Sequence, residues 1–327
     1  MIQDNLKTRV IGVDVNIETT TCAVVDIRGN IIGKSTFPTS EHAFIGDYIS
    51  VLAEQIISIA EANGGYDHIR SVGISIPSGN FHTGCIENSP NLPWKGVIPL
   101  AAMLRDRIGL AVALGNDAHI TALGERAFGL AHGMENFIVI SLGHGGVGSC
   151  FFSNGRAHLG YLGFAGEVGH SCVEDGGRQC TCGRQGCLEE YVSNRGIVRT
   201  ARDLMEASDE PSMLRDLTEL TPATIGECMD KGDAMAAEVW RRTGFVLGVA
   251  LANYASVINP EAIILTGELT KAYGWMMDAI HDSFNEHVFR NIRGKVKIVT
   301  SIIEDSDRDV LGASVLAWKV KEYSLFI

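Results

Sequence analysis

The chain has 327 residues, with 27 Lys and Arg against 39 Asp and Glu, for a formal net charge of −12. That balance argues against nucleic acid as the main partner, because a phosphate backbone calls for a basic surface. A hydrophobic share of 46% is that of a globular protein with a substantial core, and the length suits two domains or one bilobal unit. MIQDNLKTRV at the N-terminus lacks the apolar run of a signal peptide. The greasiest stretch, FVLGVALANYASVI, is interrupted by Gly248 and Asn253 and is too short to span a bilayer, so a cytoplasmic location is expected.

In chain order, the apolar runs 10–15 and 22–27 predict two strands joined by a polar turn, and Arg28-Gly29-Asn30 makes the hairpin to a third. Apolar residues at helical spacing from about 41 to 63 predict a helix that NGG stops. IRSVGISIP reads as a buried strand. A helix at about 100–108, a strand LAVALGND and a helix from about Ala118 follow. The second half repeats the theme. ENFIVISLGHGGVGSCFFSNGR predicts two strands around a glycine turn, then a hairpin. Helices near 188–205 and 234–256, a strand AIILTG, a helix from about Leu269, a strand KVKIVTS and a final helix from about Asp309 complete the chain. Two halves that each open strand–turn–strand and then alternate helix with strand predict an α/β protein of duplicated plan, with a cleft between the halves as the natural ligand site.

One stretch concentrates unusual side chains. Residues 169–190, GHSCVEDGGRQCTCGRQGCLEE, space His170, Cys180, Cys182 and Cys187 as H-x9-C-x-C-x4-C. Clustered thiols in a reducing compartment more often hold metal than form disulfides, and three thiolates with one imidazole make a closed tetrahedral zinc set. Gly176, Gly177, Gly183 and Gly186 supply the tight turns needed to wrap an ion. Cys172 is a substitute ligand with an awkward reach, and Cys22, Cys85, Cys150 and Cys228 read as small core residues. What a zinc-fixed loop holds must come from its neighbours, Glu167 and Glu189.

Elsewhere, Asn116 and Asp117 stand just after a buried strand, where open α/β sheets place ligands. Asp117 reads either as an N-cap or as a base that takes a proton from a substrate hydroxyl. Asn91 in SPNLPW offers a donor and an acceptor, as sugar hydroxyls require, or is simply a turn residue. SLGHGGVGS, with Gly143, Gly145, Gly146 and Gly148, reads as an anion nest or as a plain glycine hairpin. LTGEL is a second nucleotide-contact candidate. The chain holds no G-x-x-x-x-G-K-[ST] loop, which excludes a P-loop enzyme.

Taken together these segments resemble the ROK family of repressors, open reading frames and sugar kinases, across nearly the whole chain. GEVGHSCVEDGGRQCTCGRQGCLEEYVS carries the resemblance most specifically, and NRGIVR is similar to the glucokinase branch. The resemblance implies the actin-like/hexokinase-like ATPase fold (ribonuclease H-like), with two α/β lobes around a deep cleft. Residues 1–116 with 309–327 would form the small lobe, and 117–308 the large lobe carrying the zinc loop. It implies an ATP-dependent hexose kinase, a glucokinase acting on the 6-hydroxyl, with Asp117 as general base. Asn91, Asn116, Glu167, His170 and Glu189 would hold the hexose, with His170 placing one ring nitrogen on zinc and the other near the sugar. Asp14, Gly143, Gly145 and Gly267 would face the nucleotide, with Asp14 near Mg²⁺. The implied cofactors are structural Zn²⁺ and Mg²⁺ with ATP, and the implied assembly is a homodimer or homotetramer. The alternatives are a kinase for an N-acetylhexosamine or another hexose, and a sugar-binding ROK protein with weak or no ATP-dependent activity. A repressor is not expected, because its helix-turn-helix would precede a first strand that here begins near Arg9.

The departures from the family lie on the nucleotide side. Its D-x-G-G-T motif reads DVNIET here, with Asn16 and Ile17 for the glycines and Glu18 for the threonine. His144 replaces the threonine of L-G-T-G, and Thr266 and Glu268 replace glycines of L-G-G-G. A glutamate beside a triphosphate is repulsive unless a metal or a proton intervenes.

Overall fold

The computed structural model describes residues 7–143 and 146–320. They divide into two compact units, 7–132 with 159–164 and 302–320, and 133–158 with 165–301.

The first unit opens with β1 (Arg9–Val15), β2 (Thr19–Asp26) and β3 (Ile31–Pro38), followed by α1 (Ile45–Ala62) and β4 (Ile69–Ser75). Short strands β5 (Gly79–Asn80), β6 (Cys85–Glu87) and β7 (Val97–Ile98) make a small side sheet that no sequence pattern announced. Then come α2 (Leu100–Ile108), β8 (Ala111–Gly115) and α3 (Asp117–Phe128). The main sheet runs β3-β2-β1-β4-β8, antiparallel through the meander and parallel from β1 to β4 to β8. Strand β1 is buried on both faces, as its continuous apolar run requires. Ile11, Val13 and Val15 pack with residues of α1 and α2, while Val10 meets Val310 and Ala317 of the last helix.

The second unit repeats the order. β9 (Phe137–Gly143), β10 (Gly146–Ser153) and β11 (Arg156–Ala157) form the meander. It continues with α4 (Glu189–Val192), α5 (Asn194–Ala207), α6 (Pro222–Asp230), α7 (Ala234–Ile258), β12 (Ala262–Thr266), α8 (Tyr273–His287) and β13 (Lys297–Thr300). Its sheet runs β11-β10-β9-β12-β13, with β9, β12 and β13 parallel. The core joins Ile138, Ile140 and Leu142 to Val239, Trp240 and Leu247 of α7 and to Met276, Ile280 and Phe284 of α8. Two units built on one strand order make this the α/β fold of the actin-like ATPases.

The chain returns to the first unit with α9 (Asp305–Lys319). Gly12 and Gly73 face each other across β1 and β4. A Cβ at Gly12 would collide with the carbonyl of Val310, and one at Gly73 with that of Ala313. The two glycines let α9 lie flush on the sheet, with its first turns at the end of β1. Helix α3 packs on α9, so the unit boundaries fall after 132 and before 302 rather than at 116 and 309.

Three element boundaries differ from the sequence pattern for local reasons. The single helix expected near 188–205 breaks at Ser193, which is extended. Its hydroxyl caps α5 by accepting from Gly196 N and donates to Glu189 O at 2.6 Å. Helix α9 starts at Asp305, with Asp305 and Asp307 in its first turn, where carboxylates favour the helix dipole. Helix α6 was not anticipated, although Thr221-Pro222 signals it. Thr221 and Thr224 cap each other reciprocally, and Pro222 sits at the first helical position.

Candidate active site

In the first unit three carboxylates converge past the ends of β1 and β8. Asn116, not Asp117, is the N-cap of α3, its Oδ1 accepting from Ala118 N at 3.0 Å. The capping reading of Asp117 therefore falls. Asp117 is the first helical residue and is exposed, and its Oδ1 also accepts from Ala118 N, at 2.7 Å. A negative charge is favoured at that end of a helix. Asp14 closes β1. Burial, then the charges of Asp309 and Asp117, push its carboxyl up to about 8, although part of the residue's surface stays exposed. Asp309 is the member that sequence reasoning missed. It stands on α9 and its Oδ1 accepts from Thr121 Oγ1 at 2.6 Å. No local signal links Asp309 to Asp14; only the seating of α9 on Gly12 and Gly73 does.

Asn91 is exposed on the loop between β6 and β7. Lys95 Nζ donates to the carbonyls of Ser89, Pro90 and Leu92 at 2.9–3.2 Å, and Trp94 Nε1 donates to His42 O at 3.0 Å. The loop is thus braced from within, and Asn91 is presented on a rigid turn.

In the second unit the ligand atoms of His170, Cys180, Cys182 and Cys187 all lie within 4.8 Å of one another. Cys180 Sγ is 3.8 Å from His170 Nδ1, and Cys182 Sγ is 3.6 Å from Cys187 Sγ. All eight cysteines are free thiols, and Cys172 does not join the cluster. The backbone N–H of Arg184 holds the exposed Cys182 thiol down to about 6, with the Arg184 side chain adding, so this thiolate forms first. Three sulfurs and one imidazole at this spacing fit a metal ion that prefers soft donors in a closed site. Arg178 ties the loop to α5. Its guanidinium stacks on Tyr191 at 4.7 Å and donates to the carbonyls of Glu190 and Gly196, to Thr200 and to Asp203.

Glu167, His170 and Glu189 are brought together. Desolvation raises the Glu167 carboxyl above its ordinary value, His170 opposes that shift and Glu189 adds to it. Arg195 donates to Glu189 Oε1 at 2.7 Å and to the buried Glu190, and Glu189 Oε2 accepts from Val147 N at 3.2 Å. Glu189 therefore spans from the cysteine loop to the β9–β10 turn.

The glycines of the nucleotide side fare differently. Gly143 and Gly146 pair at the tip of the β9–β10 hairpin, while Gly145 and His144 lie outside the described residues. Gly267, with φ +99°, sits against β9, where a Cβ would come 2.8 Å from Leu142 N and Ser141 Oγ. Its role visible here is close backbone approach. Thr266 is buried, whereas Glu268 is exposed. In the first unit the β1–β2 turn is closed by Asn16, whose Oδ1 accepts from Glu18 N at 3.1 Å and Thr19 N at 2.9 Å.

No helix of the described residues is long and apolar enough to cross a membrane. Among known proteins, the chain is 31% identical over 324 residues to a glucokinase of Halalkalibacterium halodurans, covering 95% of this chain and 94% of the relative. A ROK family transcriptional regulator, a homologue of the E. coli MLC protein, superposes with a TM-score of 0.85 at 26% identity, over 95% of this chain and 78% of the regulator. A ROK family glucokinase from Streptomyces griseus, in complex with glucose and AMPPNP, superposes with a TM-score of 0.76 at 26% identity, over 95% of this chain and all of the other. The family model described as "ROK family" matches residues 10–320, and with that span the chain belongs to the ROK family.

Proposed function

We propose that this chain is an ATP-dependent hexose kinase of the glucokinase type. Two observations carry this reading, one in each unit: an exposed Asp117 at the start of α3, and Glu167, His170 and Glu189 grouped beside the cysteine cluster. The glucokinase of H. halodurans, similar along nearly its whole length, supports it.

Asp117 accepts the proton of the sugar 6-hydroxyl. The freed oxygen pair attacks the γ-phosphorus, the bond to the β-phosphate oxygen breaks, and ADP leaves with that electron pair. In this reading Asn91 and Asn116 of the first unit and Glu167, His170 and Glu189 of the second are the residues that hold the sugar hydroxyls. Asp14, beside Asp117 and Asp309, would be the residue that holds the Mg²⁺ accompanying the nucleotide, which would supply positive charge to the phosphates. His170, Cys180, Cys182 and Cys187 would hold zinc, which would supply rigidity rather than chemistry, since four protein ligands would leave no position for a reacting water.

A coupled assay of the zinc-loaded protein with ATP·Mg²⁺ against a panel of hexoses, with sugar binding by calorimetry in parallel, tests the reading. Turnover with one hexose supports it; sugar binding without turnover defeats it. The second reading, a sugar-binding protein with weak or no ATP-dependent activity, draws on the altered β1–β2 turn, on Glu268 and on the likeness to a ROK transcriptional regulator.

A further inference from the structure

Cys172 is the one cysteine of the loop that stands outside the metal set. It is exposed, and its backbone forms an isolated antiparallel bridge with Cys187, one of the four metal-ligand candidates. The bonds that make this bridge flank the pair. Val173 N donates to Gly186 O at 2.8 Å, and Leu188 N donates to Ser171 O at 2.9 Å. Cys172 and Cys187 are therefore a non-hydrogen-bonded pair, the closer of the two antiparallel spacings, with both side chains on one face. Cα atoms in such a pair stand about 4.5 Å apart, inside the range of about 4.4–6.8 Å that a disulfide spans.

The Cys172 sulfur lies beside the residue next to Cys187. A Cβ at Gly186, whose φ is +75°, would stand 3.2 Å from Cys172 Sγ. The Cys187 sulfur is turned to the cluster, 3.6 Å from Cys182 Sγ. The backbone thus meets the requirement of a disulfide, and side-chain rotation is the movement left to make. Main-chain bonds hold this geometry independently of any metal. Further along the same two segments Gln179 bridges Gln185, flanked by Cys180 N donating to Arg184 O and Gly186 N donating to Arg178 O, both at 2.8 Å.

We propose that Cys172 and Cys187 are an oxidation site, which hydrogen peroxide closes into a disulfide at the expense of the metal set. The Cys172 sulfur attacks one peroxide oxygen and the O–O bond breaks, giving a sulfenic acid and one water. The Cys187 sulfur leaves the metal set and attacks the Cys172 sulfur. The S–O bond breaks, and the departing hydroxide takes a proton to become a second water. Two sulfurs lose one electron each, and peroxide gains both. Cys180 is buried and Cys182 belongs to the cluster, so Cys172 is the loop thiol that peroxide meets without first displacing a metal. Three ligands remain, and a closed four-ligand site loses its hold. Leu188 and Glu189 follow Cys187 at once, so the oxidation acts on the base of the sugar-side group. The proposal rests on the reading that His170, Cys180, Cys182 and Cys187 hold a metal.

The test treats the isolated protein with hydrogen peroxide, follows metal release with a chromogenic chelator and maps disulfides by peptide mass spectrometry. Elemental analysis before treatment measures the metal content. The expected product is a Cys172–Cys187 disulfide formed together with metal release, both reversed by dithiothreitol and added Zn²⁺. In Cys172→Ser, release at the same peroxide concentration should slow about tenfold. Position 172 is exposed, and a melting curve matching the wild type establishes that the variant folds; the wild-type disulfide map does not depend on the variant. A wild-type disulfide joining Cys182 to Cys187, or equal release rates in wild type and Cys172→Ser, overturns the proposal. A Cys172–Cys187 disulfide in a protein isolated without metal supports the pairing and removes the metal reading instead.

Discussion

The cysteine loop, residues 170–190, and the β9–β10 turn meet at Glu189, yet their side chains do opposite things. In the loop, His170, Cys180, Cys182 and Cys187 point their ligand atoms at a common centre, and Arg178 and Arg195 brace the base. Ligand atoms within 4.8 Å of one another suit a metal ion. At the turn, Glu268 and Glu189 converge on Gly143 and Gly146 and fill, from within the chain, the space that glycine leaves. One region gathers metal-ligand-type atoms, and the other is covered by the chain's own carboxylates.

Four substitutions sharpen the contrast. Asp117→Asn acts on the acceptor side and has the largest expected effect. Turnover falls about 10²–10⁴-fold through loss of the general base, while hexose affinity by calorimetry stays nearly the same. A normal kcat with weakened hexose binding would remove Asp117 from that role. Cys187→Ser comes next. One ligand fewer releases the metal, measurable by elemental analysis, and hexose affinity drops about 10–100-fold as the support of Glu167, His170 and Glu189 loosens. Unchanged metal content would show that the four residues are not its ligands.

The third prediction concerns pH. The folded Asp14 carboxyl is raised to about 8 from an ordinary 3.8. The folded state therefore holds a proton that the unfolded chain releases, and this group's contribution to stability is lost as pH rises from about 4 to about 8. Asp14→Asn removes that loss. Its gain in melting temperature over the wild type, measured without nucleotide, grows across that window and levels off above about pH 8. A gain independent of pH would mean that Asp14 is ionised throughout.

The smallest effect is expected from Arg195→Ala. The guanidinium is half-exposed, so the ion pair itself contributes about 1 kcal/mol or less, but the buried Glu190 loses its nearest cation and Glu189 is freed to move. Chemical denaturation should show a loss of about 1 kcal/mol, and the hexose KM should rise a few-fold at constant kcat. A fall in kcat with KM unchanged would place Arg195 in the chemistry instead.

The strands of the two main sheets, the duplicated plan and the H-x9-C-x-C-x4-C set were legible in the sequence, because each is written in local periodicity or spacing, whereas the short side sheet β5–β7 was not. The meander at residues 9–38 and its counterpart at 137–157 appear where the apolar alternation puts them, and the four metal-ligand candidates meet as their spacing suggested. The break at Ser193 was written there too, in a side chain that caps the next helix, but the apolar pattern on either side outweighed it. What the tertiary structure alone decided are the contacts between residues far apart in the chain. Asp309 joins Asp14 and Asp117 only because α9 returns to a sheet nearly 300 residues upstream and is seated there by Gly12 and Gly73. Glu268 reaches Gly143 only because β12 lies parallel to β9 and Gly267 brings the two backbones together. Sequence spacing governs what a strand or a loop can do by itself. The environment of a carboxylate depends on which distant backbone it is packed against.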